Sequence, residues 1–189
     1  MERMVIGVAG RNGAGKTGFI KAFKDIVTQP FVVVESGKIL AATLAPWRVV
    51  PGRNDYALVF DAIEKMVLGE GALVRALRQY VDEAPPGIVI VDALRMHRDA
   101  TFVRSYPTNK IVYIDASFET RCKRMLARGE KAGESQMTPE QFLRQEQAAN
   151  EVGIPEIGKN ADFPIDNEGD FKSLLAQVKQ FAKKHLGMT

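Results

Sequence analysis

Short apolar runs alternate with longer segments of helical periodicity along this chain. The runs are rich in Val and Ile and are typical of strands buried on both faces of a parallel sheet. Four of them, and a weaker fifth, predict strands at residues 4–9, 31–34, 88–91, 110–114 and 162–166. Strands that alternate with helices predict an α/β fold in which one parallel sheet has helices on both faces.

The segments between the runs carry apolar residues at helical spacing. One predicted helix begins at Thr17 and is stopped by Pro30, and Thr138 followed by Pro139 predicts the capped start of another. The other predicted helices cover residues 38–45, 55–68, 72–83, 118–128 and 170–186. Residues 36–86 contain no strand pattern, so we expect a helical insert within a single domain that spans residues 1–189.

Composition and charge narrow the class of protein. The single cysteine, Cys122, and two histidines cannot form an internal disulfide or a Cys/His zinc site. A net charge of +3 favours small anionic ligands over a nucleic-acid partner. No apolar stretch approaches the roughly 20 residues of a membrane span, and the start lacks the apolar region of a signal peptide. We therefore expect a cytoplasmic protein that binds no membrane; the pattern leaves the oligomeric state open.

The strongest chemical signal is GRNGAGKT at residues 10–17, between the first predicted strand and the first predicted helix. It is a complete phosphate-binding loop, G-x-x-x-x-G-K-[ST]. Its glycines let backbone amides surround a phosphate, its lysine reaches the outer phosphates, and its threonine hydroxyl can coordinate Mg²⁺. The residues predicted to contact the nucleotide are Gly10, Asn12, Gly13, Ala14, Gly15, Lys16 and Thr17.

A phosphate-binding loop alone does not decide the reaction. A regulatory GTPase would need Asn-Lys-x-Asp after a strand, whereas Asn109-Lys110 lacks the aspartate and precedes its strand. Asp92 ends the third predicted strand, at the sheet edge where ligands bind, with Arg95 and Arg98 close behind it. An aspartate in this position could simply cap a turn. We favour a role for Asp92 in holding the metal or the acceptor.

Four segments together resemble the nucleoside monophosphate kinase superfamily, and within it dephospho-CoA kinase-like and related small-nucleotide kinases. They are the phosphate-binding loop, VDALR at 91–95, ETRCKRMLARG at 119–129 and ADFPIDNEG at 161–169. The resemblance implies a three-layer P-loop kinase fold with a five-stranded sheet in the order 2-3-1-4-5. It also implies ATP on the loop, an acceptor region after strand two and a mobile lid at about residues 129–150.

The same resemblance assigns roles to later residues. It implies that Arg124 lies near the base of ATP and Arg128 near the transferring phosphates. Asn167 and Gly169 match the loop that contacts adenine, mainly through its backbone. A basic helix face is more often merely solvated, and that alternative stays open for Arg121 and Arg128.

One departure from the family concerns the acceptor. Many relatives have an arginine that clamps the acceptor phosphate after strand two, and Ala41 stands in its place here. The candidates to replace it are Arg48, Arg53, Arg95 and Arg98. Trp47 could stack on a base or belong to the core.

Three functions follow from these residues. The first is ATP- and Mg²⁺-dependent phosphorylation of a nucleoside or deoxynucleoside monophosphate, with Lys16, Asp92, Arg95 and Arg128 as catalytic residues. The second is phosphorylation of a hydroxyl, as in dephospho-CoA kinase, where Glu35 or Asp92 would take the proton. Glu35 could instead cap the following helix. The third is a nucleotide-binding module with little or no hydrolysis, which the missing arginine supports.

Overall fold

The computed structural model describes residues 3–48, 53–66, 71–128, 137–147 and 151–188, except for the side chains of residues 53 and 54. Its strands are β1 (Met4–Ala9), β2 (Phe31–Glu35), β3 (Ile88–Leu94), β4 (Thr108–Asp115) and β5 (Phe163–Asp166). Its helices are α1 (Lys16–Ile26), α2 (Ser36–Leu44), α3 (Arg53–Glu64), α4 (Ala72–Glu83), α5 (His97–Arg104), α6 (Phe118–Arg128), α7 (Pro139–Glu146), α8 (Ile154–Lys159) and α9 (Phe171–Leu186). A 3₁₀ helix, Ala45–Trp47, follows α2.

The five strands form one parallel sheet in the order β2-β3-β1-β4-β5, which confirms the predicted topology. β1 lies at its centre, and Ala9 at the end of β1 pairs with Leu94 of β3 and Tyr113 of β4. The carboxyl ends of the three central strands therefore reach the same edge of the sheet. In an open parallel sheet, ligands bind at this edge.

Side chains alternate along β1 and supply two cores, one on each face of the sheet. Ile6 and Val8 pack with residues of α1 and α9, whereas Val5 and Ala9 pack with residues of α4, α5 and α8. This alternation is the period-two pattern of a strand that is covered on both faces. The predicted three-layer arrangement is confirmed.

Two predictions about the chain after β3 need correction. β3 continues through Asp92 to Leu94, because Ala93 and Leu94 are buried and Leu94 pairs with Ala9 after a register shift. The helix α5 was not predicted, because its first turn is polar. The Asp99 carboxylate accepts hydrogen bonds from the amides of Arg95 and Met96 and so stabilises the start of α5.

The insert and the lid are described in part. Residues 36–48, 53–66 and 71–86 contain helices and no strand, as predicted. Trp47 is 75% exposed and is not a core residue. Half of the predicted lid, residues 129–136 and 148–150, lies outside the described residues. Thr138 caps α7 as expected, and α7 ends at Glu146. Among the helices described, none is long and apolar enough to cross a membrane.

Candidate functional site

The loop between β1 and α1 has a backbone that only glycine accommodates at several positions. Gly10, Gly13 and Gly15 have φ angles of 156°, 77° and 106°. A Cβ atom on Gly13 would collide with the Arg121 carbonyl, and one on Gly15 would collide with the Asn167 side chain. The loop therefore packs against two distant segments while its amides stay close to the N-terminus of α1, as phosphate binding requires.

Two buried side chains hold this loop in place. The Asn167 amide donates a hydrogen bond to the Ala14 carbonyl at 2.7 Å. Arg121, which is only 4% exposed, donates to the Asn12 carbonyl at 3.4 Å and to the Ala116 carbonyl at 2.9 Å. Arg121 is thus a structural residue of the loop rather than part of a solvated helix face. Asn167 uses its side chain to hold the loop, and its contact with adenine stays a prediction.

The Lys16 side chain contacts the backbone at the start of its own loop. Its Nζ donates hydrogen bonds to the carbonyls of Gly10 at 2.7 Å and Arg11 at 3.2 Å. Thr17 is exposed in the first turn of α1. Both side chains therefore lie at the positive end of the α1 dipole, where negative charge is stabilised.

Two acidic residues lie on neighbouring strands, where Glu35 at the end of β2 pairs in register with Asp92, two residues before the end of β3. Burial raises the pKa of Asp92, the positive charge of Lys16 opposes that shift, and the charge of Glu35 adds to it. Among the described residues, Asp92 Oδ1 has no hydrogen-bond partner. Glu35 forms an ion pair with Lys38 at 2.5 Å, which raises the pKa of that exposed lysine.

The loop opens onto a cavity of about 320 Å³. The structure brings most of the predicted site residues to its wall: Asn12, Gly13, Gly15, Lys16, Thr17, Glu35, Asp92, Arg95, Arg124 and Arg128. Arg124 donates to the Gly169 carbonyl at 3.3 Å and has a second, buried nitrogen that no described residue satisfies. Arg128 donates to the Met125 sulfur at 3.3 Å. The wall is therefore strongly basic around the loop.

A second cavity, of about 390 Å³, adjoins the first and shares Asn12, Ser36, Gly37, Ala93 and Arg95 with it. One wall is apolar and comes from the helical insert: Leu40, Tyr56, Ala57, Phe60, Leu73 and Leu77. Another part of the lining is polar and consists of Asp99, Arg144, Gln145 and Glu151. The second cavity suits a molecule with both an apolar part and a polar part.

Two buried glutamates connect the segment that contains α7 to the phosphate-binding loop. Glu146 forms ion pairs with Arg121 and, at 3.2 Å, with Arg11. Glu151 accepts a hydrogen bond from the Asn12 amide at 3.1 Å and forms an ion pair with Arg95. Neither glutamate can be predicted from the sequence, because no local motif surrounds them.

The remaining predicted acceptor arginines lie elsewhere. Arg98 forms an ion pair with Glu64 at 2.9 Å and lies 5.6 Å from the Phe60 ring, so it supports the insert and lines neither cavity. Arg48 is exposed at the end of the 3₁₀ helix and also lines neither cavity. The Arg53 side chain lies outside the described residues.

The side chains at the first cavity fit magnesium bound to a nucleotide. No group of three His, Cys, Asp or Glu residues that could hold a metal occurs in the described ranges. Mg²⁺ does not need one, because it usually keeps several waters and takes one or two protein oxygens plus phosphate oxygens. Thr17 and Asp92, whose Oδ1 is unpartnered, both line the wall and offer such oxygens.

The chain is similar to curated proteins whose names state no activity. The chain is 23% identical over 176 residues to a UPF0200 protein of Methanoculleus marisnigri, covering 93% of each chain. It is 24% identical over 185 residues to a UPF0200 protein of Methanothermobacter thermautotrophicus, covering 97% of this chain and 92% of the relative. No protein-family model matches the chain.

Solved structures resemble the fold over nearly its whole length. TT1252 from Thermus thermophilus superposes with a TM-score of 0.65 at 17% identity, covering 97% of this chain and 98% of that one. A shikimate kinase from Bacteroides thetaiotaomicron gives 0.64 at 16% identity, covering 99% of both chains. A gluconokinase from Sinorhizobium meliloti gives 0.56 at 14% identity, covering 97% of this chain and 94% of that one. The chain therefore has the P-loop kinase fold.

Proposed function

We propose that this protein transfers the terminal phosphoryl group of ATP to a small acceptor bound in the second cavity. The observation that carries the proposal is the junction of the two cavities, because Asn12 and Arg95 line both. A phosphate held by the loop would therefore face the space where an acceptor binds. Phosphoryl transfer depends mainly on such positioning and on neutralisation of charge.

Different residues of the first cavity have different roles in the proposed reaction. Backbone amides of residues 10–17 and Lys16 hold the phosphates, and Arg124 and Arg128 stabilise negative charge on the donor. Thr17 and Asp92 would hold Mg²⁺, which neutralises phosphate charge when bound. Arg95, which lines both cavities, would neutralise charge on the group in transfer. A lid at about residues 129–150 would exclude water during the reaction.

The proposed acceptor is a nucleoside or deoxynucleoside monophosphate. The aromatic side chains of Tyr56 and Phe60 lie in the apolar wall and suit a planar base. Arg95 and Arg144 line the same cavity and suit an acceptor phosphate. Arg95 thus takes the role of the clamp arginine that the sequence lacks after β2.

A hydroxyl acceptor is the second candidate, and the burial of the Asp92 carboxylate favours it. Burial raises the pKa of Asp92 and one of its oxygens has no partner in the described structure, which are properties of a general base. The fold neighbours include enzymes named for shikimate and gluconate, which are not nucleotides. The non-catalytic alternative has less support, since a passive module needs no acceptor cavity.

The test is transfer of labelled phosphate from ATP to a panel of acceptors: the nucleoside monophosphates, dephospho-CoA, shikimate and gluconate. We expect one class to be labelled by the wild type and none by Lys16→Ala, while Lys24→Ala, in the same helix, behaves as the wild type. Glu35→Gln and Asp92→Asn separate the acceptor types, because a hydroxyl acceptor needs a base and a phosphate acceptor does not. Tight binding of MgATP with no labelled product would favour the non-catalytic module.

A further inference from the structure

The second cavity contains two hydrogen-bond acceptors that lack a donor. Glu151 is only 4% exposed, and its Oε2 atom is buried without a partner among the residues described. Oε1 of Gln145 is also buried without a partner among the residues described, and both side chains line the second cavity. Buried polar groups in folded proteins are nearly always hydrogen-bonded, so two such atoms at one cavity point to a ligand that satisfies them.

The other contacts of Glu151 fix its carboxylate. Its Oε1 atom accepts from the Asn12 amide at 3.1 Å and is the atom that pairs with Arg95. The carboxylate therefore cannot turn away to satisfy Oε2 without losing both partners, one of which belongs to the phosphate-binding loop. Oε2 is held as an acceptor beside the place where the loop meets the second cavity.

Gln145 is also carried by a restrained element. Thr138 caps the start of α7 through a hydrogen bond with the Gln141 amide, and Glu146 ties the end of α7 to Arg121 and Arg11. These contacts fix the backbone position of Gln145 relative to the phosphate-binding loop. Gln145 and Glu151 thus offer two acceptor oxygens at one cavity, and the Glu151 carboxylate is held in place by its own partners.

This pair constrains the chemistry of the ligand. A carboxylate oxygen accepts hydrogen bonds and repels anions, so the anionic part of the ligand has to lie toward Arg95 and Arg144. The part that faces Glu151 and Gln145 has to supply O–H or N–H donors. Ribose hydroxyls, an exocyclic amino group of a base and the hydroxyls of a sugar acid all share this property.

Resting on the proposed function, we propose that Glu151 and Gln145 determine acceptor specificity by accepting hydrogen bonds from hydroxyl or amino groups of the acceptor. A site built to pair with donors discriminates against analogues that lack them, because its buried oxygens are then left unpaired. The second cavity therefore selects an anion that also carries donors and discriminates against the counterpart that lacks those donors.

The test is calorimetry on the full chain saturated with Mg²⁺ and a non-hydrolysable ATP analogue. The probes are AMP, dideoxy-AMP, which lacks ribose hydroxyls, purine riboside monophosphate, which lacks the amino group, and gluconate. We expect a donor-bearing probe to bind about tenfold more tightly than its counterpart. The dideoxy and deamino arms tell whether hydroxyl or amino groups supply the donors, and binding of gluconate but not AMP indicates a sugar acid.

Gln145→Leu should reduce the preference for the donor-bearing probe several-fold, and Glu151→Gln should do the same with weaker overall binding. Gln147→Leu, at the exposed end of α7, and Glu156→Gln, at an exposed ion pair, should leave it unchanged. The inference is overturned if both cavity variants keep the wild-type preference, or if the protein with bound ATP analogue binds none of the probes. Failure to bind the ATP analogue itself would instead overturn the proposed function.

Discussion

The phosphate-binding loop and the second cavity are built from the sequence in opposite ways. The loop consists of eight consecutive residues whose glycines set its backbone. The second cavity collects side chains from α2, α3, α4 and α7, and from Glu151 just before α8. The two regions meet only at a few shared residues, such as Asn12 and Arg95. Donor chemistry is therefore encoded locally, whereas acceptor specificity depends on how distant segments pack.

Yet the loop is not self-sufficient, because distant residues complete it. The hydrogen bond of Arg121 to Asn12 joins residues 109 positions apart, and that of Asn167 to Ala14 joins residues 153 positions apart. We therefore expect changes in the loop to affect nucleotide binding and changes in the second cavity to affect acceptor binding. Changes at residues that line both cavities, such as Asn12 and Arg95, should affect both.

The largest effect is expected at Lys16, the charged group of the loop. Lys16→Ala should lower turnover by about 10³-fold, because a positioned cation that stabilises developing charge is lost. Steady-state kinetics with saturating acceptor would measure this loss, and the fold should remain intact by circular dichroism. The exposed Lys24 on the same helix provides the control, since Lys24→Ala should keep the wild-type rate. Equal rates for the two variants would contradict the role of Lys16.

Glu146 connects α7 to the phosphate-binding loop, and its replacement should have the largest effect on stability. Glu146→Gln removes the charge that compensates the buried Arg121 and should lower the free energy of unfolding by about 3 kcal/mol. Urea denaturation measures this loss, and the exposed Glu140→Gln on the same helix should lose far less. MgATP affinity should fall too, because Arg121 holds the Asn12 carbonyl. A stable variant with unchanged affinity would mean that the loop does not depend on α7.

Asp92 should show opposite effects on activity and stability. Asp92→Asn should lower turnover by about 10²-fold through loss of the metal or proton contact. Burial raises the Asp92 pKa above its ordinary 3.8, so the unfolded chain releases this proton at lower pH than the folded protein does. The wild type therefore loses free energy of unfolding as pH rises from about 3.8 through the raised pKa, and the amide variant does not.

Denaturation of both proteins between acidic and neutral pH measures that difference. The Asn variant should be the more stable one at neutral pH, and the exposed Asp25→Asn should match the wild type. A less stable Asn variant at neutral pH would contradict the assignment of Asp92 as a buried carboxylate held for function.

The smallest of these effects is expected at Asn167, which supports the loop without carrying charge. Asn167→Ala removes the 2.7 Å hydrogen bond to Ala14 and should lower the free energy of unfolding by about 1 kcal/mol. MgATP should bind about fivefold more weakly by calorimetry, and acceptor binding should not change. Asn160→Ala, which removes an exposed bond to the Glu156 carbonyl, is the matched control. An effect on acceptor binding alone would reverse the proposed division between the two regions.

The same contrast explains what the sequence could predict. The ends of β1, α4 and α6 follow directly from apolar periodicity and turn residues, and the phosphate-binding loop follows from its motif. The sequence pattern predicts that β3 ends before Asp92, because a charged residue after an apolar run looks like the end of a strand. In the structure β3 continues to Leu94. The capping of α5 by Asp99 involves a short polar turn that periodicity does not reveal.

The polar residues of the second cavity could not be predicted from the sequence for a similar reason. Glu151 contacts Asn12 across 139 positions, and Glu146 contacts Arg11 across 135. No local signal distinguishes these glutamates from the exposed Glu140 or Glu156. Arg98, by contrast, was expected at the acceptor because it follows β3 closely, but its side chain turns to Glu64 of the insert. Only tertiary packing decides between such outcomes.

The most direct test of the account is a crystal structure with Mg²⁺ and a non-hydrolysable ATP analogue. We expect the phosphates against the amides of residues 10–17, with the terminal phosphate near Lys16 and Asp92 and directed toward the second cavity. A triphosphate bound elsewhere, or bound at the loop with its terminal phosphate directed away from that cavity, would contradict the account.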